Sequence, residues 1–214
     1  MYNFENADNS LKEISEYGKQ NPNSLLTDHL PKLCILIIMT EFEKCIKTAM
    51  KSFLYSPSTN MAKVLKILDA SGKKKSYEFL YSLLHCKDDA GNFLAETEMF
   101  FAIMGDSFYK KLTLSYKQYV KSQVKMYERK LASLAPTNDD YTMLSDEMNV
   151  IKIVQYSEAE ELFLQLKYFR NTLAHNYLDQ TPSSDTHNDV IKKYIKAKLF
   201  VGALEKAFGF FTVN

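Results

Sequence analysis

"SEAEELFLQLKYFRNTLAHNYLD", residues 157–179, decides the fold class. Leu162, Leu166, Phe169 and Leu173 recur at spacings of four, three and four, which sets them on one stripe of an α-helix. Ser157 followed by Glu160 has the form of a capping box, and Glu158 and Glu161 bring negative charge to the first turn, where the helix dipole favours it. The spacing therefore predicts a helix that starts near Ser157 and runs into the polar loop "QTPSSDTHND", residues 180–189.

Outward from that helix the same period continues. "VIKKYIKAKLFVGALEKAFGFF", residues 190–211, reads as a last, strongly apolar helix. "LTDHLPKLCILIIMTEFEKCIKTAMKSFLYS", residues 26–56, reads as a long helix opened by Thr27 or Asp28, with Pro31 in its first turn and an almost continuous apolar side. Glu41 and Glu43 on it require partners or solvent, because a buried lone carboxylate is costly. "SPSTNMAKVLKILDASG" and "SYEFLYSLLHC" predict two shorter helices, and residues 93–134 a longer one. "YTMLSDEMNVIKIVQY", residues 141–156, fits either a helix or a short extended piece. The residues before the long early helix are polar and suggest no element.

Scarcity of glycine (6) and proline (5) in 214 residues agrees with an all-α chain, and 46% apolar content can fill one core. The expectation is a single domain over residues 1–214. A formal charge of +1 gives no global attraction to nucleic acid, so any basic surface has to be local. Of 27 basic residues only Arg129 and Arg170 are arginine. Each is notable, because a guanidinium is a planar, permanently charged fork that an ammonium does not copy. Cys34, Cys45 and Cys86 have no metal or redox spacing and read as free thiols, which points to a reducing, cytoplasmic setting. The N-terminus lacks the layout of a signal peptide, and the apolar run "LCILIIM" is seven residues long, far short of a membrane span.

Two features carry chemistry. Lys117, Lys121, Lys125 and Arg129 recur every fourth residue with Tyr109, Tyr116, Tyr119 and Tyr127 interleaved. That stripe is either a solvated face or an RNA contact in which ammonium groups meet phosphates and tyrosines stack on bases. The second feature is "RNTLAHNY", in which Asn171 and His175 lie one turn apart and Arg170 and Tyr177 share a neighbouring side. Arg170 and His175 differ by about 140° on an ideal helix. They converge only if the arginine bends round the helix, the helix distorts, or two copies meet across a symmetry axis.

"RNTLAH" resembles the signature of HEPN domains: an Arg and a His separated by four to six residues, here four, the first of them often Asn. "HNY" extends the likeness to the His-x-Tyr form of HEPN toxins paired with nucleotidyltransferases. The resemblance implies a HEPN-like helical bundle, with residues 73–156 a helical elaboration that the shorter toxins lack. It implies metal-independent cleavage of RNA by a homodimer, with no cofactor and with an antitoxin or nucleotidyltransferase as partner. Arg170 would then hold the phosphate, His175 move protons and Asn171 orient the histidine or ribose. Tyr177 would shape the pocket or accept a silencing modification, and Glu43 would orient Arg170. A non-catalytic HEPN-type module that binds nucleotide, RNA or a protein through the same groove is the alternative.

Other constellations add little. His29, His85 and His187 lack metal-ligand spacing and read as surface or core histidines. No nucleophile-elbow glycines accompany the serines, and "LDASGKKKS" lacks the P-loop spacing.

Overall fold

The protein is described from a computed structural model that covers residues 2–54, 90–175 and 185–210. Among these residues the chain is all-α: six helices, one 3-10 turn and no strand. The helices are α1 (Glu5–Gln20), α2 (Leu30–Leu54), α3 (Ala90–Ala132), α4 (Asp139–Ile153), α5 (Tyr156–His175) and α6 (His187–Phe210). The two short helices expected between α2 and α3 lie outside the described residues.

Helix α6 occupies the middle, packed against α2, α3 and α5, with lighter contact to α1 and α4. Its residues explain the position. Ala197, Ala203 and Ala207 keep the backbone slim for close neighbours, and Val190, Tyr194, Phe200, Val201, Leu204 and Phe208 are buried around its circumference. A helix apolar on every side needs a neighbour on every side. At Gly202 the ring of Tyr119 on α3 lies so close that a β-carbon would come within 2.1 Å of it. Only glycine allows that approach.

Aromatic rings tie the bundle together. Phe42 on α2 meets Phe163 on α5 at 6.0 Å and stacks on Tyr194 of α6 at 5.6 Å. Phe163 continues to Phe200, and Tyr156 links Phe200 to Tyr116 on α3. Leu112, Tyr116 and Tyr119 of α3 and Ile151 of α4 belong to this one core, so the described part of residues 73–156 is built into the bundle.

Several expectations need correction. The polar N-terminal stretch forms α1, whose Ala7, Leu11, Ile14 and Gly18 are buried at spacings of four, three and four. Thr27 and Asp28 do not open α2: they belong to the 3-10 turn Leu25–His29, which is capped by Ser24 accepting the Leu26 N–H, and α2 follows at Leu30. Residues 141–153 are helical within α4, with Asn138 accepting the Asp140 N–H at its start. Ser157 lies inside α5, and Glu160 accepts the Tyr156 hydroxyl at 3.2 Å. The last helix starts at His187, because Thr186 and Asp189 form a reciprocal capping box within the segment expected to be loop.

Cys34 and Cys45 are buried free thiols, as the sequence suggests, and burial pushes the Cys34 thiol up to about 12. Cys86 lies outside the described residues. His187 is a core histidine and His29 is exposed. Among the described residues no helix is long and apolar enough to cross a membrane.

Candidate functional site

The seam between α2 and α5 is fixed by neighbours of the core. Phe42 is fully buried, so the next residue, Glu43, about 100° further round α2, falls at the edge of the packed face. On α5 the core positions Leu166, Phe169 and Leu173 leave Arg170 at the corresponding edge. The two side chains meet there: Arg170 Nη2 lies 3.3 Å from Glu43 Oε1, with only 18% and 16% of the side chains exposed. Arg170 Nη1 donates to Asn171 Oδ1 at 3.1 Å. The guanidinium is thereby bracketed by a carboxylate and an amide oxygen.

The Glu43 contact is ionic rather than a directed hydrogen bond, since Oε1 has no hydrogen-bond partner. Guanidinium donors are thus not consumed by it, and Arg has five to give. Burial pushes the Glu43 carboxyl above its ordinary value, against the downward pull of Arg170 and of Lys47. Desolvation exceeds attraction because most of the carboxylate's hydration is lost and only part of it is replaced by aligned donors. The sequence reading did not single out Lys47; its place four residues after Glu43, hence one turn on along the same face, was the available signal.

Glu41 has its own partners, accepting from Tyr2 at 2.8 Å and from Lys44 at 2.7 Å. It turns away from the Arg170 seam. His175 is the last residue of α5, and its imidazole, like Tyr177, lies outside what is described. The structure therefore brings together Arg170, Asn171 and Glu43.

Lys117, Lys121, Lys125 and Arg129 are all exposed on α3, and no carboxylate lies within ion-pair distance of them among the described residues. Among the described residues the interleaved tyrosines Tyr116, Tyr119 and Tyr127 do not form a stacking platform. Tyr116 and Tyr119 are buried in the core, Tyr116 donating to the Val154 carbonyl at 3.1 Å, while Tyr127 donates to Glu147 at 2.8 Å. Cations and rings occupy opposite sides of the helix, so bases laid along the cations would not reach these rings. The Tyr109 side chain lies outside the described residues. No cluster of three or more His, Cys, Asp or Glu side chains arranged to hold a metal occurs among the described residues.

No known family model matches the chain, and neither a curated protein nor a solved structure matches it.

Proposed function

We propose that the chain is a metal-independent endoribonuclease that acts as a homodimer, with a composite site from paired Arg170 and His175 side chains. The observation that carries this reading is the half-buried guanidinium of Arg170, bracketed by Glu43 and Asn171, on the helix whose last residue is His175. Cleavage by 2′-hydroxyl attack needs a base for that hydroxyl, an acid for the departing 5′-oxygen and a cation for the crowded phosphorane-like transition state. Imidazole titrates in the right range for either proton transfer, and two histidines from two protomers divide them. Arg170 supplies the fixed positive charge, pre-oriented by Glu43 and Asn171, so that little reorganisation is needed when the phosphate arrives. The all-α bundle with an amphipathic helix before the motif and an apolar helix after it supports the HEPN-like reading. So does the unpaired row Lys117, Lys121, Lys125 and Arg129, a local cationic face in a chain of net charge +1.

In this reading the protein is a toxin or antiviral-defence effector, located in the cytoplasm, and an antitoxin or nucleotidyltransferase restrains it, with Tyr177 as the modified group. The test is expression of the wild type beside His175→Ala and Arg170→Ala, with growth and cellular RNA integrity as readouts. Loss of RNA cleavage in both variants is expected. Identical growth and identical RNA profiles for all three would leave a non-catalytic binding module in its place.

A further inference from the structure

Between residues 110 and 132, α3 carries seven basic residues and one carboxylate, Glu128, in a chain whose net charge is only +1. Four of the seven, Lys117, Lys121, Lys125 and Arg129, form the exposed row already described. Each step of four residues rises about 6 Å along the helix and turns about 40° round it, so the row spans about 18 Å and winds through about 120°. Two carboxylates of the neighbouring α4 are turned elsewhere: Glu147 accepts the Tyr127 hydroxyl at 2.8 Å, and Asp140 faces Lys12 of α1 at 3.7 Å. The outer face of α3 is therefore a long, concentrated positive strip, and the ligand that matches it is a polyanion with charges repeated at a similar interval.

What the strip lacks narrows the ligand further. The exposed side chains interspersed with the row between residues 114 and 129, namely Leu114, Gln118, Met126 and Glu128, carry no ring. Tyr116 and Tyr119 are in the core, and Tyr127 is held by Glu147. A single strand gains affinity by stacking its bases on aromatic side chains, and this face offers it none. It would also have to be ordered along the row without that compensation. A double helix arrives already ordered, and its denser phosphates release about 0.9 counter-ions per contact against about 0.7 for a single strand. Over four contacts at ~0.1 M salt, that difference favours the double helix about sixfold. Shape points the same way. A row that winds round its helix meets a flat anionic bilayer with only part of its length, whereas phosphates bordering the wide, shallow minor groove of A-form RNA flank a helix laid across it on both sides.

We propose that the outer face of α3 docks the double-stranded part of a folded RNA, through phosphates and without reading sequence. The choice of RNA over DNA rests on the ribonuclease reading; the preference for a double helix rests on the strip alone. In combination the two make the substrate a structured RNA, anchored on α3 and cut at the separate Arg170 seam.

The test is fluorescence anisotropy of labelled nucleic acids with the full-length His175→Ala chain, so that binding is read apart from cutting. The probes are an RNA duplex of about 16 base pairs, an oligouridine strand of equal length and a DNA duplex, with phosphatidylglycerol vesicles in a parallel sedimentation assay. The RNA duplex should bind about sixfold tighter than the strand at ~0.1 M salt, with a log–log salt slope of about −3 to −4. Lys117→Glu combined with Arg129→Glu, the two ends of the row, should weaken duplex binding at least about tenfold and make that slope shallower by about two. Lys19→Glu, an equal change of charge at an exposed site on α1, should bind as the parent does, with circular dichroism confirming the fold of each variant. Equal or tighter binding of the single strand, tighter binding of the DNA duplex, vesicle capture that the paired change abolishes, or a paired variant that binds the duplex as its parent does would overturn the proposal. Absence of cleavage by the wild type, with duplex preference intact, would instead overturn the ribonuclease reading and leave the docking face standing.

Discussion

At the scale of single residues, Glu43 is the most informative group. Its carboxyl is raised by burial and pulled back by Arg170 and Lys47, so Arg170→Ala should move its midpoint further up, measured by carboxyl NMR during a pH titration. The sign of the linkage is fixed by the same shift. A carboxyl whose folded midpoint lies above its unfolded one contributes stability at low pH that is lost as pH rises through the raised midpoint. Wild-type stability should therefore slope downward over the window just above the ordinary glutamate range, and that slope should be shallower in Glu43→Gln, as denaturant melts at a series of pH values would show. Gly202 is a second sensitive position. With Tyr119 2.1 Å from the place of a β-carbon, Gly202→Ala should cost about 1–3 kcal/mol through overpacking and tilt that ring.

At the scale of elements, caps and aromatic contacts set the boundaries and the strength of the bundle. Removing the Thr186 hydroxyl breaks the reciprocal cap of α6, and Thr186→Ala should lower stability by about 1 kcal/mol in a denaturant melt. Phe42→Ala should cost about 3–5 kcal/mol, because this ring meets Phe4 at the cap of α1, Phe163 of α5 and Tyr194 of α6 at once. Helices α2, α5 and α6 were legible in the sequence because their apolar stripes are long and made of large residues. Helix α1 was not, since two of its four buried positions are Ala7 and Gly18, which carry little apolar signal among charged neighbours. The Thr186 cap was hidden inside a run of loop-forming residues. Of the candidate site, the adjacency of Arg170 and Asn171 followed from sequence alone. The meeting of Arg170 with Glu43 was suggested by the family resemblance, because no local pattern relates positions 127 residues apart in the chain, 170 minus 43.

At the scale of the whole molecule, the proposed composite site would make activity depend on association. Specific cleavage should fall on dilution, in parallel with the dimer fraction measured by sedimentation, and a linear dependence on protein concentration down to full dissociation would count against a shared site. If RNA runs along the exposed cations of α3, the paired change Lys121→Glu and Lys125→Glu should weaken RNA binding and reduce its salt dependence by about two counter-ions. The central placement of α6 has a further cost. The Tyr194 hydroxyl closes on Asp8 across 186 positions, and the apolar sides of α2, α3 and α5 wait for a helix that the ribosome makes after all of them. Until those partners meet, the exposed apolar sides leave nascent chains adhesive. Translation of this protein should therefore draw on holdase chaperones until its last described helix emerges, a demand that pulse-labelled nascent chains captured at increasing length would display.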